Sequence, residues 1–176
     1  MWKEDGGTLV ATYDNGKLSS LATRGNGIVG QDITQNAKYI HGLPLGLPFK
    51  THFVVRGEAL MSYKEFERVN NALPYDVEPY KNPRNLANST VSLDAEKELE
   101  HREIWFHAFK LVYNESDYTV TRPRTFYGDM EFLKSLGFET TEHVLCDVSD
   151  IESVIREMSD RVSKYAFPVD GLVVAA

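Results

Sequence analysis

Asp14-Asn15-Gly16 separates two extended-looking runs, Thr8 to Tyr13 and Lys17 to Thr23. Asn-Gly supplies two residues that tolerate positive φ, as a two-residue hairpin turn requires, so this stretch is the strongest short-range signal in the sequence. An antiparallel hairpin is therefore expected near the start of the chain. Phe53 to Met61, rich in β-branched and apolar residues, suggests another strand, carrying Arg56-Gly57-Glu58. In a third, Trp105, His107, Phe109 and Leu111 alternate with Phe106, Ala108 and Lys110, a mixed-face pattern suited to a strand lining a cleft. Further strands are expected over Thr140 to Cys146 and in the apolar run Gly171 to Ala176.

Helical signals fall between these runs. Ser62 with Glu65 and Ser149 with Glu152 have capping-box spacing. The first predicts a helix over Tyr63 to Leu73 with Phe66, Val69 and Leu73 inward; the second, a helix with the stripe Ile151, Val154, Ile155 and Met158. Phe126 to Leu136 has helical spacing and a glycine stop at Gly137. Arg24 to Asn36, with Gly25, Gly27 and Gly30, reads as a loop leading into a short helix. Asn82-Pro83-Arg84-Asn85 reads as a turn, and Leu93 to Arg102 as a short exposed helix or loop.

The 176 residues, 42% apolar, suffice for one domain with a core. A net charge of −7, from 19 basic and 26 acidic residues, disfavours a stand-alone nucleic-acid binder held by phosphate neutralisation. The single cysteine, Cys146, excludes an internal disulfide and a cysteine zinc site, and fits a buried thiol in a reducing compartment. No apolar run is long enough for a membrane helix and the first residues lack a signal-peptide pattern, so a cytoplasmic protein without membrane contact is expected.

Lys3-Glu4-Asp5-Gly6, Arg24-Gly25-Asn26-Gly27, Arg56-Gly57-Glu58 and Asp170-Gly171 each have a bland reading: a charged segment, a flexible turn, an edge charge pair and a simple turn. In order, and with Gly30-Gln31-Asp32-Ile33-Thr34 and Asn82-Pro83-Arg84-Asn85, they resemble the adenylation domain of NAD-dependent bacterial DNA ligases over nearly the whole chain. The resemblance implies an α+β fold of mostly antiparallel β-sheets flanked by helices, the nucleotidyltransferase fold shared with ATP-dependent ligases and mRNA-capping enzymes. It further implies that residues 1–176 are one such domain truncated at both ends. The nicotinamide-mononucleotide-binding subdomain, oligonucleotide-binding fold, zinc module, helix-hairpin-helix region and BRCT domain would be absent.

By the same resemblance, Lys3 attacks the α-phosphorus of NAD, releases nicotinamide mononucleotide, and passes AMP to the 5′-phosphate of nicked double-stranded DNA in the full-length context, a reaction of DNA replication and repair. A lysine attacks phosphorus only as the free amine, and charge spreading over phosphate oxygens calls for cations, here Mg2+ and arginines. Asp5 would orient the lysine, Gly6 would let the backbone approach the nucleotide, Arg24 would contact the adenylate or the DNA phosphate, and Arg84 would bind phosphate. Glu58 would hold the ribose, Phe109 would stack on adenine or pack as core, and Glu58 and Asp170 would assist the metal. A monomer is expected.

Met1 stands where the family usually has a glutamate, Asn88 to Ser92 lacks an arginine, and Val174-Ala175 replaces a late lysine. Losing one such cation can cost on the order of 100-fold in rate, so weak activity is expected of these residues alone. The alternatives are a non-catalytic adenine-nucleotide-binding remnant and an ATP-dependent lysine nucleotidyltransferase. A hydrogen-bonded structural role is expected for His107.

Overall fold

The computed structural model describes residues 1–114 and 125–175, with the side chains of 113 and 114 not described. Ala176, the last residue of the terminal apolar run, lies outside the described residues. The fold is mixed α+β, with antiparallel pairing dominant.

The hairpin forms as its turn dictates. Strands β2 (Gly7–Asp14) and β3 (Lys17–Thr23) pair antiparallel across Asn15 and Gly16, whose φ values are +51° and +78°. Strand β5 (Phe53–Leu60) pairs with the other side of β2, and β6 (Ile104–Asn114) with β5. The two-residue β4 (Ile40–His41) closes the five-stranded sheet by parallel pairing with β6, giving the order β3-β2-β5-β6-β4. A second, two-stranded sheet joins β1 (Trp2–Glu4) to β7 (Val169–Leu172) antiparallel.

One face of the larger sheet carries the core. Leu9, Ala11 and Tyr13 from β2 alternate inward and meet Phe53, Val55 and Ala59 from β5 and Phe106 and Ala108 from β6. Leu111 joins this buried face, contrary to strict alternation with Trp105, His107 and Phe109. The register explains it: Gly57 and Arg56 are adjacent on β5 but oppose Ala108 and Lys110 on β6, so Phe109 is the extra residue of a bulge. The same device at Ser19 lets Leu18 and Leu21, three apart on β3, both pack toward the core.

Helices cover this face. Helix α1 (Tyr63–Asn71) starts at Ser62, whose Oγ accepts from the Glu65 amide at 3.1 Å; Glu65 does not complete the box but turns to Arg68 and the Glu103 amide. Val69 is buried and Phe66 half-buried. The Asn82-Pro83-Arg84-Asn85 segment is no free turn. It opens α2 (Pro83–Val91): Asn82 is the N-cap, accepting from the Asn85 amide at 2.8 Å, and Pro83 is the first helical residue, where its missing N–H costs nothing. A short helix α3 (Glu96–Glu100) follows, and α4 (Phe126–Ser135) ends before Gly137 at φ +96°. The loop after β3 leads into a 3-10 turn over Thr34–Tyr39, whose buried Asn36 donates to the Val91 carbonyl at 2.8 Å.

Three expectations fail around the last helix, α5 (Ile151–Arg161). No strand forms over Thr140 to Cys146; only Thr140 bridges to Ala108, and the chain then leaves the sheet. Cys146 is consequently exposed, not buried. The Ser149–Glu152 box does not form, because a 3-10 turn over Val148–Asp150 runs directly into the helix and leaves Asp150 in the N-cap place with helical dihedrals and no side-chain cap. Met158 is buried, whereas Ile151, Val154 and Ile155 line an apolar groove of about 690 Å³ with Val144, Leu145 and Val174. Among the described residues no helix is long and apolar enough to cross a membrane.

Candidate functional site

The two sheets meet at a polar cleft of about 690 Å³, inside the roughly 300–1,000 Å³ range of small-molecule sites. Lys3, Asp5, Gly6, Arg24, Glu58, Arg84 and Asp170 all line it, although their positions in the chain span residues 3 to 170.

The small sheet supplies the first group. In β1, Trp2 and Glu4 are buried while Lys3 between them points outward, a period-2 consequence of the extended backbone. The Lys3 side chain is 65% exposed, and its Nζ lies 3.9 Å from Oδ1 of Asp170 across the β1–β7 pair. The lysine is thus presented to solvent with a carboxylate partner, not desolvated. Asp5 follows the strand; its Oδ1 accepts from Arg84 Nη1 at 3.2 Å. The N-cap that fixes the start of α2 therefore also aims Arg84 at the cleft.

Gly6 has a different reason from the one its motif suggests. A Cβ there would stand 2.1 Å from the Ala59 carbonyl oxygen, so the strand–strand approach of β1–β2 against β5 itself demands glycine. A Cβ on Gly7 would stand 1.8 Å from Asn88 Oδ1. Asn88, one helical turn after Arg84, also lines the cleft.

The loop after β3 carries Arg24 at its start. The Arg24 amide donates to the Thr8 carbonyl at 3.0 Å, and Asn26 Oδ1 accepts from the Ile28 and Val29 amides at 3.0 and 2.9 Å. The Asp32-Ile33-Thr34 part of the motif is structural. Ile33 is fully buried, its amide donates to the Leu21 carbonyl at 2.8 Å, and Thr34 Oγ1 accepts from the Leu21 amide at 2.9 Å, while Asp32 accepts from the Thr34 amide. The segment pins the loop back onto β3.

Glu58 faces the cleft from β5, opposite Thr8 on β2 and His107 on β6. Burial pushes its carboxyl up to about 7, the nearby Glu4 carboxylate adds to the rise, and Arg84 opposes it. Phe109, at the β6 bulge, is half-buried and is not among the residues lining the cleft. His107 has the structural role expected of it: its side chain is 5% exposed and Nδ1 lies 2.8 Å from Glu4 Oε1.

Residues 2–176 match the family model described as the NAD-dependent DNA ligase adenylation domain. The chain belongs to this family. Among similar proteins, the DNA ligase of Lachnoclostridium phytofermentans is 36% identical over 173 residues, that of Ruminiclostridium cellulolyticum 35% over 173, and that of Brachyspira hyodysenteriae 34% over 175. Each comparison covers 98% of this chain and 26% of the relative, so the adenylation domain spans about a quarter of the length of the curated relatives it matches.

For a divalent cation, the donor set of this adenylation domain is sparse. Among the described residues no group of three or more His, Cys, Asp or Glu side chains is placed to hold a metal. Mg2+ commonly takes only one or two protein carboxylates and fills its octahedron with water and substrate phosphates, and the accessible Asp170 carboxylate beside Lys3 fits that mode.

Sequence reasoning missed Asn88 and Glu4. The Arg84–Asn88 spacing, i and i+4 on one helix, was a readable sign of the first. Glu4 offered none beyond its place between two motif residues.

Proposed function

We propose that this adenylation domain has the nucleotidyltransferase fold and carries out the first step of a DNA ligase: the Lys3 amine, with NAD as substrate, takes up AMP. In this reading Lys3 Nζ, as the free amine, attacks the α-phosphorus. The new P–N bond forms as the P–O bond of the pyrophosphate breaks, nicotinamide mononucleotide leaves with the electron pair, and the nitrogen sheds a proton to give the lysyl-AMP phosphoramidate. AMP would then pass to the 5′-phosphate of nicked DNA held by the remainder of a longer ligase.

The observation that carries the reading is the convergence of Lys3, Asp5, Arg24, Glu58, Arg84 and Asp170 on one cleft from five separate stretches of sequence. Each has a task there. Asp5 holds the Arg84 fork, whose remaining N–H donors can meet phosphate oxygens. Arg24 supplies a second fixed positive charge. Glu58, once ionised, can accept from two ribose hydroxyls. Asp170 stands beside the nucleophile, where Mg2+ bound to it and to phosphate would neutralise charge developing on the oxygens.

The test is incubation of the protein with NAD radiolabelled in its adenylate and Mg2+. A labelled protein band that survives alkali, is released by acid as a P–N bond is, and disappears in Lys3→Ala is expected; no label on the wild-type chain would refute transfer by these residues.

One observation favours a second reading, binding without transfer. Among the described residues lining the cleft, the lysines and arginines are Lys3, Arg24 and Arg84, while Val174 and Ala175 line the apolar groove instead. Calorimetric binding of AMP with no label on Lys3 would select it.

A further inference from the structure

Between Lys3 and Asp5 the chain buries an acid. The Glu4 side chain is 1% exposed, an expensive place for a carboxylate unless every lone pair is met. It is met from three separate elements. Oε1 accepts from the Tyr165 hydroxyl at 2.6 Å and has His107 Nδ1 at 2.8 Å, and Oε2 accepts from Thr141 Oγ1 at 2.9 Å. Burial, and then Glu4 itself, push the Tyr165 hydroxyl upward, so it remains a donor. His107 is held in turn edge-on to Phe167, ring centroids 4.9 Å apart.

The placement of these partners gives the cluster its meaning. His107 belongs to β6 of the large sheet, whereas Tyr165 lies just before β7 and Thr141 on the segment that receives the Trp2 amide at Glu142. Glu4 sits on β1. The carboxylate is thus the polar bolt between the small sheet, which carries Lys3 and Asp170, and the large sheet, which carries Glu58. Trp2 closes the other inward position of β1 with its Nε1 donating to the Met158 carbonyl at 3.1 Å and its ring 4.4 Å from that of Tyr165. Lys3 itself, exposed and 3.9 Å from the Asp170 carboxylate, gains its placement from the backbone of β1.

We propose that Glu4 is a positioning residue for Lys3: held by His107, Thr141 and Tyr165, it locks the β1–β7 sheet against the five-stranded sheet and thereby sets the lysine amine relative to a nucleotide seated at Glu58. The inference rests on the adenylation reading for its functional consequence and on the fold alone for its mechanical one. A misplacement of about 1 Å at a reacting group can cost about 100-fold in rate while leaving binding intact.

The test compares wild-type protein with Glu4→Gln and with Tyr165→Phe, which removes one hydroxyl and keeps the ring beside Trp2. With NAD saturating, the first-order rate of Lys3 labelling should fall at least tenfold in each, while the AMP dissociation constant stays within twofold. An unchanged rate overturns the proposal, as does a loss of rate matched by an equal loss of AMP affinity. If the wild-type chain takes no label, the adenylation reading fails by itself, and amide hydrogen exchange decides the mechanical part. Exchange at Lys3, Glu4 and Asp5 should then speed at least tenfold in Tyr165→Phe with β2 and β5 unchanged; equal protection of β1 overturns it.

Discussion

Glu58 ties pH to stability in a way that a single substitution can expose. The native protein keeps the Glu58 proton up to about pH 7, whereas its ordinary value is 4.5, where an unfolded chain releases it. Between those limits the native state binds more protons than the unfolded state, so this group lowers stability progressively as pH rises from about 4.5 to 7. The penalty is absent below that window and complete above it. At about 1.4 kcal/mol per pH unit the full effect is about 3 kcal/mol, reduced toward about 2 where the open cleft solvates the carboxylate. Glu58→Gln is neutral throughout and removes the penalty. Urea unfolding followed by Trp2 and Trp105 fluorescence at pH 4.5, 6 and 8 reads the result. The stability of the variant relative to wild type should climb by about 2–3 kcal/mol across the series, whatever constant offset the amide introduces. Parallel curves, with the difference steady to within about 1 kcal/mol, would show that Glu58 is ordinarily solvated and that its burial beside Glu4 does not govern its proton.

Gly6→Ala should destabilise the protein by about 3 kcal/mol or more, because the added methyl meets backbone, the Ala59 carbonyl, which cannot move without breaking the β2–β5 ladder; thermal unfolding measures it, and a loss under about 1 kcal/mol would contradict the packing. Asn82→Ala removes the cap of α2 and should cost about 1 kcal/mol in denaturant unfolding. It should also weaken AMP binding more than Asn82→Ser does, since Arg84 is aimed from the first turn of that helix; equal affinities for the two variants would separate the cap from the site.

Local chemistry made much of the fold readable. Asn15-Gly16 could take the left-handed dihedrals of a tight turn, Ser62 could cap, and Gly137 could stop a helix; each acts within a few residues, and each forms. The departures arise where distant chain decides. Thr140 to Cys146 has strand-like composition, yet its pairing stops at a single bridge from Thr140 to Ala108 and isolated bonds from Thr141 and Glu142, so no strand forms and Cys146 meets solvent. Strict alternation misplaces Leu111 because it allows for no bulge at Phe109, although apolar residues three apart in a strand, as at Ala108 and Leu111 or Leu18 and Leu21, are a usable sign of one. Asn82-Pro83 carried a helix start that its turn-like composition disguised.

That Lys3, Asp5, Arg24, Glu58, Arg84 and Asp170 share a cleft was legible because short motifs carry each of them. What holds them was not, since Glu4 reads as one more charge until His107, Thr141 and Tyr165 surround it.

The pairing of β1 with β7 also has a consequence for biosynthesis. Met1 and Val173, 172 positions apart, exchange backbone hydrogen bonds, and Lys3 faces Gly171. On a ribosome adding roughly 5–20 residues per second, Lys3 therefore waits on the order of 10–30 s before Asp170 exists to stand beside it. The hairpin and most of the large sheet can form during that interval. Among these strands the β1–β7 pair is assembled last, so translation that halts before β7 leaves the large sheet in place and Lys3 without a partner strand.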